Sequence, residues 1–222
     1  MLIPLVIPIF YCLKYKRESL LDIIVIILVM IGIVISYWPL TLGFSSSANI
    51  ITKFLLFVFI PLFFLYILYR IRHRQEKKDF KLNQFGITSY ELETSLKLGF
   101  LFIPLMLLVT FLVKYIMGGT FYPNFPLGVV SFIESFTEEF FFRGILFLFL
   151  ISKTNFKIAY ITSLGSFVLL HPQNFTNPFI ISTIAQGIIT LEICRRSSNL
   201  SGAWLVHGVN RFFGIALYPL LM

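Results

Sequence analysis

Eight stretches of the chain are almost continuously apolar: residues 1–15, 20–40, 50–71, 97–117, 127–151, 156–172, 178–194 and 200–221. Seven of them approach the roughly 20 residues a helix needs to cross about 30 Å of hydrocarbon. The first is shorter and holds Pro4 and Pro8, so it is tilted, kinked or re-entrant. The pattern predicts an all-α polytopic transmembrane helix bundle of about eight spans, or seven if the first run does not cross. Interior prolines fit that class, because neighbouring helices re-satisfy the freed backbone groups.

The polar residues between the runs alternate in charge. Lys14, Lys16 and Arg17 follow the first run; Arg70, Arg72, Arg74, Lys77, Lys78 and Lys81 the third; Lys153 and Lys157 the fifth; Arg195 and Arg196 the seventh. The connections at 41–49 and 118–126 are nearly uncharged. By the positive-inside rule the basic loops are cytoplasmic and, with eight spans, both ends of the chain lie outside. The one long polar stretch, 72–96, reads as a cytosolic loop with an interfacial helix, and Thr88 or Ser89 is its candidate cap leading into the fourth run. The chain then divides into N-terminal spans with the basic loop (1–96) and core spans (97–222), within one membrane domain.

Composition agrees. The 222 residues are 58% hydrophobic and 13% charged, with mean hydropathy +0.90, whereas soluble domains hold about 25% charged residues. The net charge of +8 would raise nucleic-acid binding in a soluble protein. Here the cations sit in short loops, so they read as topology and attraction to anionic lipid; no nucleic-acid partner is expected. Cys12 and Cys194 stand far apart, and no disulfide framework is expected. The positive charges follow the first apolar run instead of preceding it, so cleavage as a signal peptide is not expected.

The fifth run breaks the pattern. It carries Glu134, Glu138, Glu139 and Arg143. Four ionisable groups near mid-membrane oppose insertion by up to about 12 kcal/mol. Its sixteen Leu, Ile, Val and Phe residues return roughly 5–10 kcal/mol. Such a span needs partners, and its charges mark a functional site. On a helix Glu139 and Arg143 are i, i+4 and can pair. Glu134 and Glu138 share another face. Two carboxyls crowded out of water resist ionising together, which makes Glu138 the candidate general base and Glu139 the structural partner of Arg143.

Two histidines lie in other runs. His171 ends the sixth, with Phe167 one turn earlier to pack under its ring and Pro172 after it to stop the helix. His207 lies in the eighth, with Asn210 and Arg211 on its face. At about 1.5 Å per residue, Glu138, His171 and His207 all fall in or near the middle third of the membrane. They can converge on one site.

These motifs in this order, Glu138-Glu139-x-x-x-Arg143-Gly144, Phe167-x-x-x-His171 and His207 in the last span, resemble the CAAX protease and bacteriocin-processing (Abi) family, which includes the Ras-converting CAAX prenyl endopeptidase. The resemblance covers about 127–222. It implies a glutamate-dependent intramembrane protease in which Glu138 activates water, His171 and His207 assist, and an Asn completes the site. The family's Asn stands four residues after the last histidine. Here Arg211 holds that place and Asn210 stands one residue earlier, so the two compete for the role. Glu138, His171 and His207 could also form a His₂Glu zinc site. The chain lacks the His-Glu-x-x-His helix of zinc proteases, and the expectation is a metal-free site without cofactor. The expected partners are a membrane-associated peptide or protein substrate and the bilayer, in a prokaryotic plasma membrane. Two other readings stand beside this one: a non-proteolytic immunity or scaffold protein of the same family, and proton or ion transport through the carboxylates.

Overall fold

A computed structural model describes residues 1–42, 46–74 and 79–219. It is helical, with no strand among the described residues. Eight helices correspond to the eight apolar runs: α1 (Ile3–Tyr15), α2 (Leu20–Leu42), α3 (46–72), α4 (Leu92–Ile116), α5 (125–153), α6 (Phe156–Leu169), α7 (Phe179–Ser197) and α8 (201–217). Three stretches, Arg17–Tyr37, Asn49–Arg72 and Leu92–Ile116, are long and apolar enough to cross a membrane on length and composition alone. α5 interrupts its apolar surface with the charged cluster. α1 and α6 are short, about 20 Å each, and pair side by side: Ser166 Oγ donates to Met1 O (3.0 Å) and Lys16 Nζ to Thr154 O (3.2 Å).

Outward-facing side chains are apolar, among them Leu28, Ile35, Phe63, Phe100, Leu101 and Ile161. The interior holds both a cluster of phenylalanines (Phe57, Phe85, Phe140, Phe141, Phe142, Phe147 and Phe167) and the ionised residues. That inversion is expected of a protein solvated by lipid. Both cysteines are free and buried.

Local signals set the helix starts. Asn124 Oδ1 accepts from Leu127 N (3.1 Å), with Pro126 in the first turn of α5. Asn155 Oδ1 accepts from Ile158 N (3.0 Å) at α6. The expected cap by Thr88 or Ser89 does not form. A 3₁₀ turn (Leu82–Phe85) precedes a bend, and α4 begins only at Leu92, after Glu91 in a left-handed conformation. Thr88 Oγ1 instead accepts from Tyr90 N (3.1 Å), so its hydroxyl closes a local turn. Asn199 fastens this loop, donating to Thr88 O (2.7 Å) and Tyr90 O (3.0 Å). Lys77 and Lys78 of the basic loop lie outside the described residues.

α5, α7 and α8 meet around α4 and α6. The closest approach is α4 to α8, where Gly99 faces Gly202 and Gly202 N donates to Ser95 Oγ (2.9 Å). A β-carbon on Gly202 would overlap Ser95 O. Small residues permit such contact between membrane helices.

Candidate active site

Glu138 and Glu139 sit at the end of the regular part of α5, about 1% and 0% exposed. From Phe140 to Phe149 the helix continues with π-type hydrogen bonding. The same change follows Lys53 in α3 (Leu55–Phe59) and Arg211 in α8 (Phe212–Leu217). Three helices that deliver charge to the centre therefore widen just beyond the residue they deliver. π-bulges mark functional sites often enough to draw attention here.

The two glutamates divide as the helical spacing predicts. Glu139 Oε2 lies 3.2 Å from Arg143 Nε, without hydrogen-bond alignment, and the Arg143 guanidinium stacks 4.2 Å over the Phe167 ring. Glu139 has a second partner that spacing could not show: Oε1 accepts from His207 Nδ1 at 2.6 Å. Glu138 and Glu134 do share a face, but they are not two like charges alone. Lys53 Nζ lies 2.8 Å from Glu138 Oε1 and 2.5 Å from Glu134 Oε1. Arg211 donates to the same pair, Nη1 to Glu138 Oε1 (3.2 Å) and Nη2 to Glu134 Oε2 (2.9 Å). The cluster holds three carboxylates and three cations, which is how buried charge is tolerated.

One atom of this network is left over. Glu138 Oε2 is buried with no hydrogen-bond partner. It faces His171 Nε2 at 3.9 Å and His207 Nε2 at 3.8 Å. Both imidazoles are oriented from behind. His171 Nδ1 donates to Phe167 O (3.1 Å), and His207 Nδ1 donates to Glu139. A carbonyl or carboxylate behind one ring nitrogen fixes the tautomer, leaving the Nε2 lone pair toward Glu138 when the ring is neutral. α6 ends at Leu169 ahead of Pro172, as the proline dictates, and His171 leads into the 3₁₀ turn Pro172–Asn174. Phe167 packs against both histidines, with ring centroids 5.1 and 6.1 Å away.

Glu134, Glu138, Glu139, Arg143, Phe167, His171, His207 and Arg211 thus meet in one cluster. Asn210 does not reach it. Its Nδ2 donates to Gln186 Oε1 (2.6 Å), and both side chains line a cavity of about 190 Å³ beside the histidines. The structure adds Lys53 and Gln186, which the sequence reading missed. Each is a strongly polar side chain set among apolar neighbours, away from the basic end of its run.

A zinc ion would use Glu138 Oε2, His171 Nε2 and His207 Nε2. Tetrahedral zinc with bonds of about 2.0–2.1 Å sets its ligand atoms roughly 3.3–3.4 Å apart. The glutamate–histidine separations here are wider, at 3.8 and 3.9 Å. The Glu138 charge is already met by Lys53 and Arg211. Among the described residues no His, Cys, Asp or Glu group has metal-holding geometry. The residues do not fit the ion, and no step is derived through one.

Fold and cluster together define an integral membrane helix bundle with a polar, glutamate- and histidine-bearing centre. Residues 120–213, which run from the entry to α5 into α8, match the family described as Type II CAAX prenyl endopeptidase Rce1-like. The description of that family is of an endopeptidase. No curated protein and no solved structure matches the chain.

Proposed function

We propose that the protein is an intramembrane endopeptidase in which Glu138 activates the attacking water. The observation that carries this is the asymmetry of the Glu138 carboxylate. Oε1 is held by Lys53 and Arg211, while Oε2 is unpartnered and faces two histidine nitrogens at 3.8–3.9 Å. A polar gap of that width is spanned by one water. That water donates one hydrogen to Glu138 Oε2 and the other to a histidine Nε2, which turns its lone pair toward the peptide carbonyl. Glu138 takes the proton as the oxygen attacks. The same proton passes to the leaving amine as the C–N bond breaks, giving a free amine and a carboxylic acid, which then loses its remaining proton to water.

The developing oxyanion needs a donor. Arg211 keeps its Nε–H buried without a hydrogen-bond partner and lines the cavity. Asn210 is bonded to Gln186. We assign the oxyanion role to Arg211, with Asn210 shaping the cavity wall. The substrate is a membrane-associated peptide or protein, and the basic loops face the cytoplasm.

The test is comparative mass spectrometry of membrane and secreted peptides from cells carrying wild type or Glu138→Gln at matched abundance. Cleavage products present in the first and lost in the second are expected. Products unchanged in the variant would reject Glu138 as the base. A biological effect that survives without any cleavage would favour the immunity or scaffold reading.

A further inference from the structure

Lys53, Lys114 and Arg143 are buried in this bundle, and Arg211 is half-buried beside them. Lys53, Arg143 and Arg211 each have a carboxylate within 3.2 Å. Lys114 does not. It sits in the last turn of α4, 6% exposed. Its ammonium donates to the carbonyl of Gly214 and lies 5.5 Å over the Phe179 ring, and no carboxylate pairs with it among the described residues. A lysine held inside a membrane span is costly, and such residues mark sites that meet a partner charge. An ammonium has three hydrogens to donate, and one carbonyl uses one of them.

The cavity beside the histidines supplies the space. Its wall includes Lys114 and Arg211, together with the hydroxyls of Thr110 and Ser182 and the amide of Asn210, and it includes no Asp or Glu. Arg211 is already paired with Glu134 and Glu138, so Lys114 is the cation of this wall left for an anion. At about 190 Å³ the cavity holds a carboxylate with part of the chain that carries it; one water in liquid takes about 30 Å³. Gly214 lies seven residues beyond His207 on α8, on the order of 10 Å along the helix. A carboxylate on Lys114 and a peptide bond at Glu138 are therefore held at a fixed spacing along one wall.

We propose that Lys114 is a binding residue that receives a carboxylate of the peptide this protein acts on. This rests on the peptidase reading for the identity of the ligand. The carboxylate comes either from a free chain end or from an acidic side chain, and the test separates the two.

The full-length protein in nanodiscs is titrated with acetylated tri-leucine as free acid and as carboxamide, and with acetyl-Leu-Asp-Leu-amide against its Asn counterpart. The acid is expected to bind about ten- to a hundredfold more tightly than the amide, the worth of a hydrogen bond to a charged group. The preference should vanish in Lys114→Met and persist in Lys114→Arg. A preference seen only in the Asp/Asn pair assigns the side-chain source. Equal binding of charged and neutral forms in both pairs, no binding of either charged form, or an undiminished preference in Lys114→Met would overturn the proposal. If the Met variant fails to fold, the wild-type and Arg comparisons decide. No cleavage enters this measurement, so it stands or falls separately from the Glu138→Gln result.

Discussion

Lys53 is the residue whose removal tests the charge cluster most directly. Its side chain is 4% exposed and lies within hydrogen-bonding distance of Glu138, 2% exposed, and Glu134, 13% exposed. Lys53→Met keeps the length of the side chain and deletes the charge, leaving three carboxylates against two arginines. Removing one partner of a buried pair typically costs about 3–5 kcal/mol, because the other charge stays behind. Arg211 still touches both carboxylates, so the low end, about 3 kcal/mol, is expected. That is more than a hundredfold in the unfolding equilibrium. Glu134→Gln added to Lys53→Met restores the balance at two against two. The double variant should then be more stable than the sum of the single changes predicts, by about 0.5–3 kcal/mol. The assay is reversible unfolding in mixed micelles followed by tryptophan fluorescence. Trp204 reports on the site, since its indole donates to Phe132 O (3.1 Å) and packs on Phe136. Strict additivity, or a Lys53→Met protein within about 0.5 kcal/mol of wild type, would refute the description of Lys53 as the counter-charge of these glutamates.

Glu139→Gln should lower cleavage by about 10²–10⁴ with little change in peptide binding, because His207 loses the carboxylate that orients it; an unchanged rate in a peptide assay would show that His207 needs no such support. Gly202→Ala should destabilise the bundle by about 1–3 kcal/mol through the overlap with Ser95 O, read as a lower midpoint in the same unfolding assay, whereas a neutral result would mean α4 and α8 can separate at no cost. Chelation of the purified protein should leave cleavage intact; loss of activity restored by zinc would mean that the 3.8 and 3.9 Å gaps close around an ion.

Much of this arrangement was legible in the sequence, and its gaps have physical causes. Hydropathy found the helices because a lipid-solvated span must be apolar along its length. The convergence of Glu138, His171 and His207 followed from depth, and the Glu139–Arg143 pair from helical period. Period speaks only of one helix, however. The bond from Glu139 to His207 joins α5 to α8, and nothing within either run encodes it. Lys53 was invisible for a different reason. It lies near the start of its apolar run, where a lysine normally reaches out to the membrane surface. The fold turns it inward instead. The missed cap at Thr88 has a third cause: the loop it begins is held by Asn199, more than a hundred residues away.

Lys53 also changes what the matched segment means. Residues 120–213 supply all three glutamates, both histidines and both arginines of the centre. They do not supply its charge balance. Without Lys53 these residues carry three carboxylates and two arginines into the membrane, and one carboxylate is left without a counter-charge. α3 brings that charge from outside the matched segment. Phe54 then stacks on Phe136 at 6.2 Å beside it, so the contact that seats α3 on α5 also delivers the ammonium. The N-terminal helices are therefore more than a collar around a self-sufficient domain. Lys53 and Arg211 hold Glu138 Oε1 while Oε2 keeps no hydrogen-bond partner, and one of those two cations belongs to the N-terminal half.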